Sequence, residues 1–328
     1  MLAREGAILN GGTVLCETPL LIPSFSSKGF PELKKILEFM REFITESILV
    51  SAYDEYYKHL SSKQLSFPRV IFLDSGGYEA TVEHDLSEAY GQDYRPNKWT
   101  SKLHRDVLNG WVATRPTVIV SFDSPRRHSV MEEQVDSAIK LKGQYPQHAH
   151  EILIKPEQRN GFIEVDSVRR VVSALGEFAA IGLTERELDS KLITKMEKIA
   201  QIRRLLDRHG IKAPIHIFGS LDTFTTPLFF LAGAEIFDGL TWLRFGYHEG
   251  QTIYKQNYGA MCLVNGTLKD AKELSHAMWK DNYYYLESLR DQMRTFVRSG
   301  HYDQFAGIGD QLRQVAQTLE SRLRSEEE

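Results

Sequence analysis

Three apolar runs in this 328-residue chain each end in an aspartate. They are Val70-Ile71-Phe72-Leu73-Asp74, Val118-Ile119-Val120-Ser121-Phe122-Asp123 and Ile236-Phe237-Asp238. A carboxylate at the end of a buried strand is costly unless it is paired or used. Each one alone has a structural explanation. Asp74 precedes Ser75-Gly76-Gly77 and suits a turn cap. Asp123 precedes Ser124-Pro125 and suits a helix N-cap with proline at the first helical position. Asp238 suits a partner for Arg244. Three independent caps, however, need not share one face. In a barrel of parallel strands the carboxyl ends converge on one pocket. Two carboxylates there can run double displacement at a sugar C1′, one as nucleophile and one as proton donor and acceptor. A third can accept the N1 and N2 hydrogens of a guanine edge. The glycines after Asp74 let backbone amides approach a ligand closely.

The elements that must position these residues are readable. Eight segments are short and mostly continuously apolar: 20–25, 47–53, 70–75, 117–123, 151–155, 177–182, 214–219 and 236–241. Lack of alternation suits strands covered on both faces. Helical spacing appears over 31–43, 129–145 and, most strongly, 184–209, where Thr184-Glu185-Arg186-Glu187 resembles a capping box. Eight strands with interleaved helices predict an α/β fold, a (β/α)8 TIM barrel, with a doubly wound open sheet as the alternative. The barrel is expected over 1–266, with a helical C-terminal extension over 267–328 packed on it. Helices are expected there over 268–279, 282–299 and 302–324, with a frayed end. The segment 78–116 is long for a connection and could hold an extra hairpin or a lid.

Composition narrows the class. Charged residues make up 26% and the formal net charge is −4, so any nucleic-acid contact needs a local basic face. The two cysteines, Cys16 and Cys262, are far apart, which fits a reducing cytoplasm and argues against a disulfide framework. No Cys-x-x-Cys pair occurs. The N-terminal residues lack an apolar signal core, and no apolar run is long enough for a membrane span.

As a set, the motifs resemble those of the tRNA-guanine transglycosylases and their DNA-modifying 7-deazaguanine paralogues. Ala3-Arg4-Glu5-Gly6, Glu17-Thr18-Pro19 and Ile22-Pro23 are similar to that family's opening hairpin and first strand. Leu73-Asp74-Ser75-Gly76-Gly77-Tyr78 resembles its Asp-Ser-Gly-Gly-aromatic signature, and Ser121-Phe122-Asp123 its base-reading strand. Ala180-Ile181-Gly182-Leu183 resembles its Gly-Gly-Leu segment. His216-Ile217-Phe218-Gly219 and Gly233-Ala234-Glu235-Ile236-Phe237-Asp238, with Arg244, follow its last two strands. Asp281-Asn282-Tyr283-Tyr284-Tyr285-Leu286, with Met293-Arg294, resembles its C-terminal helix. Nearly the whole chain is covered, in order.

The resemblance implies roles. Asp238 is then the nucleophile of a covalent sugar–enzyme intermediate, and Asp74 the general acid/base. Asp123 reads the guanine or 7-deazaguanine edge, helped by Ser75, Gly76, Gly182, Leu183 and Gly219, with Tyr78 stacking on the base. The target nucleotide must leave its stack to reach such a pocket. Arg126, Arg127 and Arg244 are candidates for nucleic-acid contact, within a basic set that includes Arg95, Lys98, Lys102 and Arg105. A homodimer is implied by the resemblance alone.

Three departures mark a divergent member. The family's zinc site uses a cysteine cluster and a histidine. Here Asp281 stands at the histidine position and Cys262 is the lone cysteine of the preceding segment. Cys262, His248 and His276 are the conceivable ligands, and no metal or other cofactor is expected. Glu79 stands where the signature has glutamine. Ile154-Lys155-Pro156-Glu157-Gln158 replaces the usual glutamine-glycine strand end. The lost zinc-ligand pattern, with the short length, favours a DNA-modifying paralogue over a tRNA enzyme. A non-catalytic transglycosylase-like subunit and a small-molecule TIM-barrel enzyme are the readings from other classes.

Overall fold

Apolar runs with no polar face need cover on both sides, and closing the sheet on itself supplies it. The computed structural model describes residues 2–82, 94–124, 128–265 and 270–325. A hairpin of β1 (Gly6–Asn10) and β2 (Thr13–Thr18) precedes eight parallel strands. These are β3 (Leu20–Phe25), β4 (Ser47–Ser51), β5 (Val70–Asp74), β6 (Thr117–Val120), β7 (Ala149–Ile154), β8 (Ala180–Thr184), β9 (Ile215–Phe218) and β10 (Ile236–Gly239). They pair in sequence order, and β10 returns to β3 to close the barrel. The chain is a (β/α)8 TIM barrel, as the strand pattern predicts. Each of the eight expected segments overlaps one barrel strand.

Alternation along the strands separates two cores. Leu20, Ile22, Leu49, Phe72, Val120, Leu153 and Ile236 belong to the cluster inside the barrel. Ile48, Ile71, Ile119, Ile181 and Phe237 belong to the larger cluster between barrel and helices. Ile8, Leu15 and Cys16 of the hairpin join the inner cluster beside Val70, Ala149, Ala180 and Ile236, at the amino ends of their strands. The hairpin therefore plugs the amino end and leaves the carboxyl end for chemistry.

The helices are α1 (Leu33–Met40), α2 (Ala52–Tyr56), α3 (Ser101–Gly110), α4 (Met131–Gln144), α5 (Val165–Leu175), α6 (Leu192–Arg208), α7 (Thr225–Leu231) and α8 (Thr241–Arg244). A small hairpin of β11 (Phe245–His248) and β12 (Gln251–Tyr254) follows, then α9 (Tyr258–Asn265), α10 (Ala271–Ser299) and α11 (Gly309–Ser325). Three expectations need correction. Thr184 does not cap a helix: it ends β8, a 3-10 turn spans Glu185–Glu187, and α6 starts only at Leu192. The two helices expected on either side of residue 281 are one, α10, which runs unbroken for 29 residues. Asp270, not an earlier residue, starts it, through a capping box with Glu273. Within 78–116 the described residues include a helix, α3, while residues 83–93, on which the expected hairpin or lid would fall, lie outside the described set.

Leu274, Met278, Trp279, Tyr283 and Leu286 of α10 share the outer core with the barrel. Asn282 is 1% exposed. Its side chain donates to the carbonyls of Trp242 and Phe245, each at 2.6 Å, and accepts from Tyr247 N at 2.7 Å. It thus ties α10 to the chain leaving β10. No described helix is long and apolar enough to cross a membrane.

Candidate active site

The inward phase of each strand decides what reaches the carboxyl-end pocket. On β10 that phase carries Ile236 and then Asp238. Asp238 is 5% exposed. Its Oδ2 accepts from Ser24 Oγ on β3 at 2.6 Å, and its Oδ1 accepts from Gly219 N at 3.1 Å. Gly219 adopts φ +81°, left-handed backbone that favours glycine and aims its N–H at the carboxylate. His216 Nε2 of β9 lies 3.2 Å from Oδ1, ion-pair distance without hydrogen-bond alignment. Asp238 therefore faces donors at both oxygens.

Asp74 ends β5 and is partly exposed. Its Oδ2 accepts from Gly76 N at 3.0 Å. Burial pushes its carboxyl up to about 7, and the charges of Glu79, Asp238 and Asp123 push the same way, while the Gly76 amide opposes them. A carboxyl in that range can both give and take a proton near neutrality. Gly76 has φ +88°, and a Cβ on it would come within 2.7 Å of Tyr53 Cβ, so the turn accepts only glycine. A Cβ on Gly77 would sit 2.7 Å from Asp123 Oδ2, which packs the Asp74 turn directly against the third aspartate.

Asp123 lies just past β6. Its amide donates to Ser75 Oγ at 3.1 Å, so buried Ser75 couples the two strand ends. Its Oδ2 is 3.3 Å from Lys155 Nζ, which also reaches Glu187 Oε2 at 2.7 Å. Burial works against the Lys155 charge, but Asp123 and Glu187 outweigh it and hold the ammonium more firmly protonated. The structure thus brings Asp74, Asp123 and Asp238 to one end of the barrel, with the Lys155 ammonium beside Asp123.

The remaining candidates fall in different places. Gly182 is on β8 facing inward, where a Cβ would meet Phe218 Cε2 at 2.5 Å and Glu151 Oε1 at 2.9 Å. Leu183 is fully buried and its side chain packs in the outer core, so only its backbone can face the pocket. Tyr78 is half-buried, with Lys28 Nζ 4.2 Å from its ring centroid. Arg244 is 4% exposed, its Nη2 donates to Tyr78 Oη at 3.3 Å, and its guanidinium lies over Phe30. It is placed to hold Tyr78 rather than to meet solvent. Arg126 and Arg127 lie outside the described residues. Arg95, Lys98, Lys102 and Arg105 are exposed, the last two one turn apart on α3.

Sequence reasoning passed over several polar groups in this region. Ser24 and Glu151 lie within apolar runs, and His216 drew notice only as part of a motif. Glu79, which the sequence marked only as a departure from a glutamine, is 3% exposed and accepts from Ser26 Oγ at 2.5 Å. Asp54 is fully buried and accepts from both the amide and the hydroxyl of Ser27. Burial raises the carboxyls of both Glu79 and Asp54, and Glu79's charge raises Asp54 further. Ser24, Glu151 and His216 lie inside runs read as mostly apolar, and no local signal marked their inward phase.

The conceivable zinc ligands Cys262, His248 and His276 do not form a cluster placed to hold a metal ion. His276 stacks on Phe39 at 4.0 Å, and His248 is half-exposed at the end of β11. Among the described residues no group of three or more His, Cys, Asp or Glu is placed to hold a metal ion.

What the arrangement can do is limited by its chemistry. It offers one carboxylate fixed by donors, a second poised near neutrality, and a carboxylate–ammonium pair that can meet a donor–acceptor edge. Comparison with protein-family models and with curated proteins finds no match to this chain.

Proposed function

We propose that the protein is a pentosyltransferase that exchanges guanine in a nucleic acid for a 7-deazaguanine base. The observation that carries this reading is the division of labour between two carboxylates at one pocket. Asp238 is held by Ser24 and Gly219, while Asp74 is pushed up to about 7. Two acids whose environments differ in this way suit a nucleophile and a general acid/base. In the first half-reaction an Asp238 oxygen attacks C1′. The C1′–N9 bond breaks, its electron pair goes to N9, and Asp74 delivers the proton. In the second, N9 of the incoming base gives its proton to Asp74 and attacks C1′, and the C1′–O bond breaks with its pair returning to Asp238. Asp123 accepts from the N1 and N2 hydrogens of the base, with Ser75, Gly76, Gly182 and the backbone at Leu183 around it and Tyr78 stacking against it.

The favoured polymer is DNA, because Asp281 stands at the histidine position of the tRNA enzymes' zinc site and the cysteine cluster is reduced to Cys262. Exposed Arg95, Lys98, Lys102 and Arg105 offer a basic face for phosphates. The test is exchange of labelled guanine into DNA and into tRNA, side by side, with wild type and Asp238→Asn. The reading expects incorporation by wild type, a covalent adduct trapped on denaturation, and neither with the variant. Equal exchange by Asp238→Asn would sink the nucleophile assignment. No incorporation into either polymer would favour a non-catalytic subunit or a small-molecule enzyme.

A further inference from the structure

Three ionisable side chains run in a line through the barrel interior beneath the pocket. Glu151 on β7 and His216 on β9 are 1% and 0% exposed, and Asp238 on β10 is 5% exposed. Glu151 Oε1 is 2.8 Å from His216 Nδ1, and His216 Nε2 is 3.2 Å from Asp238 Oδ1. The imidazole is fixed from other sides too. Phe218 stacks on it at 3.9 Å, and Phe72 approaches edge-on at 6.0 Å. Space for this packing comes from Gly182, where any Cβ would strike both Phe218 and Glu151.

Burying charged groups in a barrel core costs several kcal/mol per ion and rarely adds stability over apolar packing. The surrounding inward residues are Ile22, Leu49, Val120 and Leu153, so apolar packing was available. A line of charge that ends on the proposed nucleophile has a use that apolar packing does not.

We infer that His216, locked by Glu151, is a positioning residue for Asp238, and that Glu151–His216–Asp238 acts as one unit when the bond to Asp238 is made and broken. The inference rests on the reading of Asp238 as nucleophile. His216 keeps its proton throughout. When Asp238 becomes a sugar ester, it gives up its negative charge and its half of the ion pair. When the C1′–O bond breaks, the electron pair returns to a carboxylate that faces an imidazolium. The histidine therefore favours breakdown of the intermediate and holds the carboxylate at one angle for both steps. Burial disfavours the imidazolium, but Glu151 first and then Asp238 outweigh it and raise His216 to about 9.

Two measurements test this. The first needs no variant: the ring 15N shifts of His216 in the intact protein at pH 7. A doubly protonated ring is expected, and a neutral tautomer would overturn the inference. The second compares His216→Gln, Glu151→Gln and the double variant for base exchange and for trapped adduct. Each single variant is expected to lower kcat by roughly 10- to 100-fold, as slight misplacement of a reacting group does. KM should change little, and adduct should accumulate because breakdown slows more than formation. The double variant should be no worse than the singles, as for residues that act together. A merely structural role would reduce the active fraction and leave the ratio of adduct to turnover unchanged, and that result would refute the unit. Asp238→Asn separates the two failures. If it is inactive while His216→Gln matches wild type in turnover and adduct, the positioning role falls alone. If it is fully active, the nucleophile reading falls.

Discussion

Replacing Asp74 with asparagine should make the protein more stable above neutral pH while removing the proposed exchange activity. Asp74 rises from an ordinary 3.8 to about 7 in the folded chain, chiefly through burial and the nearby charge of Glu79. Below pH 4 the carboxyl is protonated whether the chain is folded or not, and it has no effect on stability. Between about pH 4 and 7 the unfolded chain ionises it and the folded chain does not. The folded state then binds more protons, so stability falls as pH rises. Above about pH 7 both states are ionised and the penalty is complete. A rise of this size is worth roughly 4 kcal/mol at full effect, and partial solvent access reduces it to roughly 2–4 kcal/mol. Asparagine is nearly isosteric and never ionises, so it escapes the penalty. It also relieves Asp54, which Asp74 helps to raise. The assay is urea unfolding of wild type and Asp74→Asn at pH 4, 6 and 8. The variant's stability relative to wild type should climb by roughly 2–4 kcal/mol across that range and then level off. Groups that do not feel the Asp74 charge contribute equally to both proteins and drop out, while relief of Asp54 adds to the climb. If the gap between variant and wild type is the same at all three pH values, Asp74 titrates as an ordinary surface carboxylate and the acid/base assignment loses its physical basis.

Three further outcomes follow from the geometry. Gly182→Ala places a methyl 2.5 Å from Phe218, whose ring is pinned on His216, so overpacking should cost about 1–3 kcal/mol in thermal or urea unfolding. Unchanged stability would show that Phe218 yields. Asn282→Ala removes two donated bonds and leaves the Tyr247 amide without its acceptor, which should cost roughly 2–4 kcal/mol and loosen α10, read by hydrogen exchange along that helix. Lys155→Met deletes the cation beside Asp123, so base choice in the exchange assay should shift, with KM for the base changing more than kcat.

The barrel was legible because its strands are covered on both faces. Ile236-Phe237 and Val70-Ile71-Phe72-Leu73 carry no exposed phase, and a run of that kind has few other places to go. The strand-end aspartates were legible for the same reason, since an acid stands out against such a run. The polar residues inside the runs were not. Glu151 sits in Ala149-His150-Glu151-Ile152, where inward and outward phases look alike until the barrel is closed. His216 alternates with isoleucines and reads as the outer side of a half-covered strand. The start of α6 was misplaced because Thr184-Glu185-Arg186-Glu187 has the composition of a cap, while tertiary pairing of β8 with β9 extends the strand through Thr184. The break expected at residues 280–281 falls beside Asp281 and Asn282, both weak helix formers. Three tertiary hydrogen bonds from Asn282 outweigh that local preference.

The plug formed by β1 and β2 has a kinetic consequence. Ile8, Leu15 and Cys16 fill the amino end of the barrel, so a molecule bound above Asp238 has no exit past those side chains. A small molecule released there must depart by the route its replacement takes. Under the proposed exchange, the departing and incoming bases share the carboxyl-end approach while the polymer stays bound across it. Exchange at such a site must proceed by turns, and an excess of the departing base in solution should slow the arrival of the next.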